Sequence, residues 1–345
     1  MAKPSGWALM DSRYLRQTAL IGEAAQQKLR GARIAVVGAG GLGSPALLYL
    51  AGAGVGSIVL IDGDAVALSN LHRQVIHTTG TVGDAKVLSA MDALEALNPD
   101  TEVDPVRTRL TWDNAVAQLA SADMVLDGSD NFDTRHVISH AAARLGIPHI
   151  WGSILGVEAQ LSVFWAGHGP VYEDLFPAPP PPGSVPSCSQ AGVLGPLVGV
   201  VGSAMAMEAL KLATGIGTPL VGTLGYFDGL AGTWEYVPLN ADPAVTERVR
   251  ELDPPHGPTE VGSIPPGAVL IDVREPAEYA THHIRGAINV PLGRVLDGYT
   301  PPELAGGGVL ICASGARSAR AVAALEARGV RGVASLRGGM DGLRR

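Results

Sequence analysis

The stretch Arg33-Ile34-Ala35-Val36-Val37-Gly38-Ala39-Gly40-Gly41-Leu42-Gly43 runs from a short apolar segment straight into glycines spaced G-x-G-x-x-G. A strand, a turn of small residues and then a helix lets backbone N–H groups at the helix start approach a phosphate, because no side chain stands in the way. The plainer alternative is a tight packing turn. Outward from it, Ser57–Asp62 and Met124–Asp127 read as further strands, each ending at a Gly- or Asp-rich turn. Ser44–Ala53 and Lys86–Leu97 read as helices, and Asn98-Pro99 stops the second. This alternation predicts a doubly wound parallel sheet. Asp62, at the end of the second strand, is placed to meet ribose hydroxyls, so these features alone predict a dinucleotide dehydrogenase.

The rest of the 345 residues sets limits. That length suggests two domains, or three. Hydrophobic residues make up 46% and charged residues 17%, which fits a folded chain. The formal charge of −8 argues against a non-specific nucleic-acid binder. Two cysteines, Cys188 and Cys312, can build neither a disulfide framework nor a four-cysteine zinc site. Met1 to Met10 holds no long apolar run, so no signal peptide is expected and a cytoplasmic protein is the default. Ala191 to Met207 is uncharged but just under a typical membrane span, and a buried helix is expected there, with no membrane partner.

Two later pairs, His149–Ser153 with Leu161–Trp165 and Tyr226–Phe227 with Thr233–Val237, predict an antiparallel extension of the sheet. Pro177 to Pro186 predicts an extended loop. Residues 240–266 lose periodicity and hold six prolines, and the stretch 240–258 is expected to be the linker between a first domain over 11–239 and a second over 259–345. In the second, Val269–Val273, Gly308–Cys312 and Val333–Leu336 read as strands and Arg317 to Ala327 as a helix.

The charges near the glycine loop do not suit a nicotinamide enzyme. Ser69-Asn70-Leu71-His72-Arg73-Gln74 follows soon after Asp62, Lys86 opens a helix, and Asp130-Asn131 follows the strand Met124–Asp127. A triphosphate needs two or more cations and a carboxylate for Mg²⁺. No G-x-x-x-x-G-K-[ST] is present, so this is not a P-loop enzyme. Gly38–Gly43, Asp62-Gly63-Asp64, the Ser69–Gln74 segment, Gly83-Asp84-Ala85-Lys86 and Asp127-Gly128-Ser129-Asp130-Asn131 together resemble the ubiquitin-activating-like family that includes HesA, MoeB and ThiF. Arg13-Tyr14-Leu15-Arg16-Gln17 is similar to its N-terminal signature, and Pro180–Cys188 to its crossover loop.

The resemblance implies a Rossmann-like fold and adenylation of the C-terminal glycine of a ubiquitin-like sulfur carrier protein. It implies that Gly41, Asp62, Ser69, Asn70, Arg73 and Asn131 hold ATP, that Arg73 and Lys86 offset phosphate charge, and that Asp130 holds Mg²⁺. It places Arg16 over the neighbouring subunit's nucleotide, hence a homodimer. The family commonly has C-x-x-C where this chain reads Val171-Tyr172-Glu173-Asp174, and a second after the final strands. Both are missing, so no zinc is expected and hydrophobic packing should close that region.

Ile311-Cys312-Ala313-Ser314-Gly315-Ala316-Arg317-Ser318 reads as strand, short loop and helix start. Loop N–H groups, the helix dipole and Arg317 would cradle a thiolate there. With Asp272-Val273-Arg274-Glu275-Pro276, Ile284–Pro291 and Leu336-Arg337-Gly338-Gly339-Met340, this part resembles a small α/β rhodanese-like domain. Ala313 stands where many members have a basic residue. His282 and His283 stand where the family usually has Gly-His, and a structural or exposed role is expected of them.

Together these parts predict an adenylyltransferase fused to a sulfurtransferase. A persulfide on Cys312, loaded from a cysteine desulfurase or thiosulfate, attacks the acyl-adenylate, and Cys188 or an external thiol resolves the acyl disulfide to a thiocarboxylate. Carriers of this kind serve molybdopterin, thiamine, cysteine or thiolated tRNA. The alternatives are activation of a ubiquitin-like protein for conjugation through a Cys188 thioester, and a non-catalytic nucleotide-binding scaffold.

Overall fold

A computed structural model describes residues 6–179, 192–252 and 259–343. It divides into two compact units, the first ending at Asp253 and the second beginning at Pro254.

The first unit is built on one sheet whose strands run β3-β2-β1-β4-β5-β6-β7-β8. These are β1 (Arg33–Val37), β2 (Ser57–Ile61), β3 (Glu102–Val106), β4 (Met124–Asp127), β5 (His149–Leu155), β6 (Glu158–Phe164), β7 (Thr223–Asp228) and β8 (Thr233–Pro238). β3 to β5 pair in parallel, and β5 to β8 are antiparallel, as the sequence predicts. Both faces of the parallel part are covered. Ile34, Val36, Ile58 and Leu60 enter one core, and Ala35, Val37, Val59 and Ile61 the other. Burial on both sides explains why these strands are continuously apolar rather than alternating. β3 carries Pro105 and is half exposed at the sheet edge, the position where a strand tolerates proline.

The Gly195–Thr214 helix is long and apolar enough to cross a membrane by composition. Its Val198, Val201, Met205 and Ala209 are buried in the core that also holds Leu47 and Ile150, as expected of a packed helix. The stretch expected to be a linker is corrected in part: Pro243–Glu251 is a helix. Asp242 caps it by accepting from the Ala244 N–H, and Pro243 takes the first helical turn, where a missing N–H costs nothing. It packs on the Phe132–Leu145 helix through Val249, whose carbonyl meets His140 Nδ1 at 2.8 Å. Arg250 donates to the Ala143 and Ala166 carbonyls.

The second unit is a parallel sheet in the order β11-β10-β12-β13-β9. Its strands are β9 (Glu260–Val261), β10 (Leu270–Asp272), β11 (Ile288–Asn289), β12 (Gly308–Ile311) and β13 (Val333–Leu336). β9 and β11 are two residues each, too short to leave a periodic signal. Ile271, Leu310, Ala321 and Leu325 pack one face, and Leu270, Val309, Ile311 and Leu336 the other.

Candidate functional site

β1 lies between β2 and β4, where the strand order reverses. Val37 is level with Ile61 on one side and Asp127 on the other, so the glycine loop, Asp62 and the loop after β4 emerge together. Crevices at such a reversal are where open α/β sheets bind ligands. A cleft of about 390 Å³ opens here, lined among others by Gly41, Asp62, Arg73, Lys86, Asp130 and Asn131.

The loop has no room for side chains at two points. Gly38 has φ +94°, and a Cβ on Gly43 would lie 1.9 Å from the Gly38 carbonyl oxygen. Asp62 organises the turn with both carboxylate oxygens, accepting from the Ala39 N–H at 2.9 Å and the Asp64 N–H at 2.8 Å. A carboxylate has about four acceptor positions, so two remain for hydroxyls. Beneath the loop, His77 Nε2 lies 3.0 Å from the Ala39 carbonyl. Burial lowers the His77 pKa below its ordinary value, so the neutral ring donates to that carbonyl.

The cations arrive from four segments. Lys86 is 7% exposed, with Nζ 3.4 Å from Asp64 Oδ2. Arg109 also reaches Asp64, at 3.5 Å, from an 83% exposed side chain. Arg73 is held by the Ser69 carbonyl at 3.1 Å. Arg135 is buried, with its guanidinium over the rings of Phe132 and Trp151. Arg109 and Arg135 both line the cleft, and neither stands in a motif that sequence reasoning singles out. Their signal is three-dimensional, since Asp64 and Arg109 are 45 residues apart.

Asp130 lines the cleft with an exposed carboxylate that makes no hydrogen bond or ion pair among the described residues. Three residues earlier, Asp127 is fully buried. It accepts from the Ser129 N–H at 2.9 Å and lies 3.1 Å from His149 Nε2. Asp127 therefore fixes the loop that carries Asp130.

Three expected nucleotide ligands have structural work instead of, or beside, a place in the cleft. Ser69 and Asn70 do not line it. They form a short 3₁₀ turn, in which Asn70 Oδ1 accepts from the Ala67 N–H and the Asn70 carbonyl from the Arg73 N–H. Their effect in this chain is to place Arg73. Asn131 lines the cleft while its side chain caps the Phe132–Leu145 helix, accepting from the Thr134 N–H. Arg16 is exposed and outside the cleft. Its neighbours anchor the helix: Tyr14 is buried with its hydroxyl 2.7 Å from Asn98 Nδ2, and Arg13 donates to the Leu97 carbonyl.

At Val171–Asp174, closure is not by apolar packing alone. Val171 packs with Ala143, Ala166 and Val249. The Asp174 carboxylate also accepts from the Val171 N–H at 2.8 Å and the Asp242 N–H at 3.0 Å. It thereby joins the two segments where the related family places its cysteine pairs.

In the second unit Cys312 directly follows β12 and is 1% exposed. The Gly315 and Ser318 N–H groups point at its Sγ from 3.2 and 3.4 Å. The Ser318 hydroxyl is fixed between the Gly315 carbonyl and Ser335 Oγ. Arg317 meets the expectation only in part: it acts on Cys312 through space, but both its terminal nitrogens bind Glu278, at 2.6 and 2.7 Å, so most of its charge is matched there. His283 stacks on Tyr279 at 4.0 Å, and both His282 and His283 are exposed, in line with a structural role. Cys188 lies outside the described residues.

Residues 14–247 match the ThiF family and residues 261–345 the rhodanese-like domain. The chain belongs to the ThiF family of adenylyltransferases and carries a rhodanese-like domain after it. It is 41% identical to the probable adenylyltransferase/sulfurtransferase MoeZ of Mycobacterium tuberculosis, over 95% of this chain and 91% of that protein. It is 47% identical to a sulfur carrier protein adenylyltransferase of Thermus thermophilus, over 67% of this chain and 88% of that one. Among solved structures, PaaA overlays with a TM-score of 0.59 at 22% identity, covering 70% of this chain and 77% of that chain. E. coli MccB with ATP overlays at 0.58 and 21% identity, covering 67% and 72%. These likenesses carry the fold. The enzyme is an adenylyltransferase joined to a sulfurtransferase.

Proposed function

We propose that the protein adenylates the C-terminal glycine of a ubiquitin-like sulfur carrier and then converts it to a thiocarboxylate. The observation that carries the first step is the cleft at the strand-order reversal, where Arg73, Lys86, Arg109 and Arg135 converge beside the unpartnered Asp130. In that step a carrier carboxylate oxygen bonds to the α-phosphorus, and the bond to pyrophosphate breaks. The protein's part is positioning and charge neutralisation, with no acid–base pair required. Gly41 and its neighbours leave the phosphates room, and Asp62 meets the ribose. Arg73, set by Ser69 and Asn70, and Lys86 face the phosphates. Among the described residues no three His, Cys, Asp or Glu side chains form a metal-binding group. A Mg²⁺ shared with ATP suits this site, because one carboxylate plus phosphate oxygens and water suffices. Asp130 is the residue that would hold it, and Mg²⁺ there would offset phosphate charge.

In the second step a Cys312 persulfide attacks the acyl carbon and AMP leaves. Cys188 or an external thiol then attacks Cys312 Sγ, which releases the thiocarboxylate and leaves a disulfide on Cys312 for a further thiol to reduce. A cysteine desulfurase or thiosulfate supplies the sulfur. The active unit is a homodimer in which Arg16 reaches the neighbouring nucleotide, in keeping with its exposed place outside its own cleft. The reducing cytoplasm suits a chain that works through free thiols. The deciding experiment incubates a candidate carrier with enzyme, ATP and a sulfur donor and weighs the product. Replacement of one oxygen by one sulfur supports the reading. A stable thioester to the enzyme, or no change with the carrier known to bind, rejects it.

A further inference from the structure

The loop Cys312–Ser318 has one charged side chain, Arg317, and the structure assigns that charge to Glu278 rather than to the donor. The two are bidentate, at 2.6 and 2.7 Å, a geometry stronger than a single contact. Hydrogen bonds from Arg317 pull the Glu278 carboxyl down to about 2, so the pair is charged and internally balanced throughout the neutral range. After Glu278, the groups that act on the Arg317 guanidinium are the Cys312 thiolate and then the acidic Glu275, so the thiolate shares a cation that Glu278 already binds. Arg274 is bound to Asp272 at 2.7 Å and to the His282 carbonyl. Ala313 and Ala316 add no charge.

We propose that Glu278 is a specificity-determining residue that makes the Cys312 cradle select a singly charged or neutral persulfide donor over a dianion such as thiosulfate. The assignment rests on the reading of Cys312 as the sulfur acceptor. With a persulfide, the Cys312 thiolate forms a bond to the terminal sulfur of R–S–SH, the donor's S–S bond breaks, and a thiolate RS⁻ departs, leaving Cys312–S–SH. Two N–H groups aimed at Sγ suffice to orient one anionic sulfur. With thiosulfate the same attack expels sulfite, and two negative charges must approach a thiolate with no free cation in the loop. Like charges at such separations repel strongly where solvent is partly excluded.

The test measures second-order rates of sulfur loading onto the full-length enzyme, with thiosulfate and with cysteine persulfide, by alkylation and intact mass. Cys312→Ala identifies the loaded thiol. Glu278→Gln preserves shape and can still accept from the Glu275 N–H at 3.2 Å. It should raise the thiosulfate rate roughly tenfold, with the gain fading at high salt, and leave the persulfide rate within about twofold. Ala313→Lys, with Glu278 intact, should raise the thiosulfate rate in the same way and guards against a folding defect in the first variant. An unchanged thiosulfate rate in both variants overturns the assignment, as does an equal change with both donors. Failure of the parent enzyme to load from either donor overturns the sulfur-transfer reading itself, and the assignment with it.

Discussion

Asp127 and Asp130 sit three residues apart in one loop and should fail in opposite ways when replaced by alanine. Asp130 is exposed, lines the cleft and has no hydrogen-bond or ion-pair partner among the described residues. Its loss removes no packing and orphans no donor, so Asp130→Ala should change stability by less than about 0.5 kcal/mol. Charge-positioning groups in transferase sites are worth about 10²–10³ in rate, so carrier-dependent pyrophosphate exchange should fall by at least that factor. Asp127 has no exposed surface, and its removal leaves the buried His149 Nε2 and the part-buried Ser129 N–H without an acceptor. One buried group at about 1–3 kcal/mol and one part-buried group at about 1 kcal/mol give a loss of about 2–4 kcal/mol. That is a large share of a typical domain's stability, so Asp127→Ala should be poorly folded before its activity can be judged. Asp127→Asn, which keeps one acceptor, should fall between. The assays are pyrophosphate exchange beside denaturant unfolding of each variant. Asp130→Ala that retains near-parental exchange, or that loses 2 kcal/mol or more, would refute the division between a loop that binds and a residue that holds the loop.

Three further outcomes are expected. Arg16→Ala and Asp130→Ala should each abolish exchange, and verified heterodimers of the two should regain part of it, because one hybrid site has both parental residues. No recovery argues against a shared site. Cys312→Ala should form acyl-adenylate at the parental rate and no thiocarboxylate from thiosulfate or persulfide, with added sulfide excluded because it attacks an acyl-adenylate unaided. Normal thiocarboxylate formation by that variant would remove Cys312 from the reaction. Asp174→Ala should lower stability by about 1–2 kcal/mol, since the part-buried Val171 N–H loses its acceptor and the exposed Asp242 N–H loses its tie to that segment, and should raise hydrogen exchange in the Pro243–Glu251 helix. Unchanged exchange there would sink the bridging role.

What the sequence made legible is what its chemistry keeps local. The glycine loop is readable because a phosphate-approaching turn needs small residues within six positions, and its flanking strand and helix are adjacent in sequence. The antiparallel pairs of β5 with β6 and β7 with β8 are readable because each connects through a short turn. The pairings that tune the sites are not readable this way. Asp127 and His149 are 22 residues apart, and Glu278 and Arg317 are 39 apart. No period or motif links such partners, and only the fold brings them within reach. One misreading had a local remedy. Asp242-Pro243 is a helix start by its cap and its first-turn proline, yet it lay among prolines that read as a break. Asn131 lines the cleft and also caps a helix, a second role that its place just before a helix makes readable.

The Val171–Asp174 region shows what a fold requires when a metal-binding signature is missing. Two segments, at Val171 and at Asp242, must be held together, and each opens a helix whose first N–H groups have no partner within it. A carboxylate supplies this by accepting one N–H from each segment, as Asp174 does. Asp242 then caps its own helix, and Val249 and Val171 close an apolar contact behind it. Glu173 extends the polar side inward, with one oxygen 2.9 Å from His136 Nδ1 and the other accepting from Ser139 Oγ at 2.7 Å. Both contacts lie on the Phe132–Leu145 helix, which begins at the cleft with Asn131 as its cap and buries Arg135 in its first turn. The carboxylate bridge and the nucleotide cleft are thus two ends of one helix. Loosening at Asp174 should therefore be felt at Arg135 before it reaches Arg73 or Lys86, which are fixed by other segments.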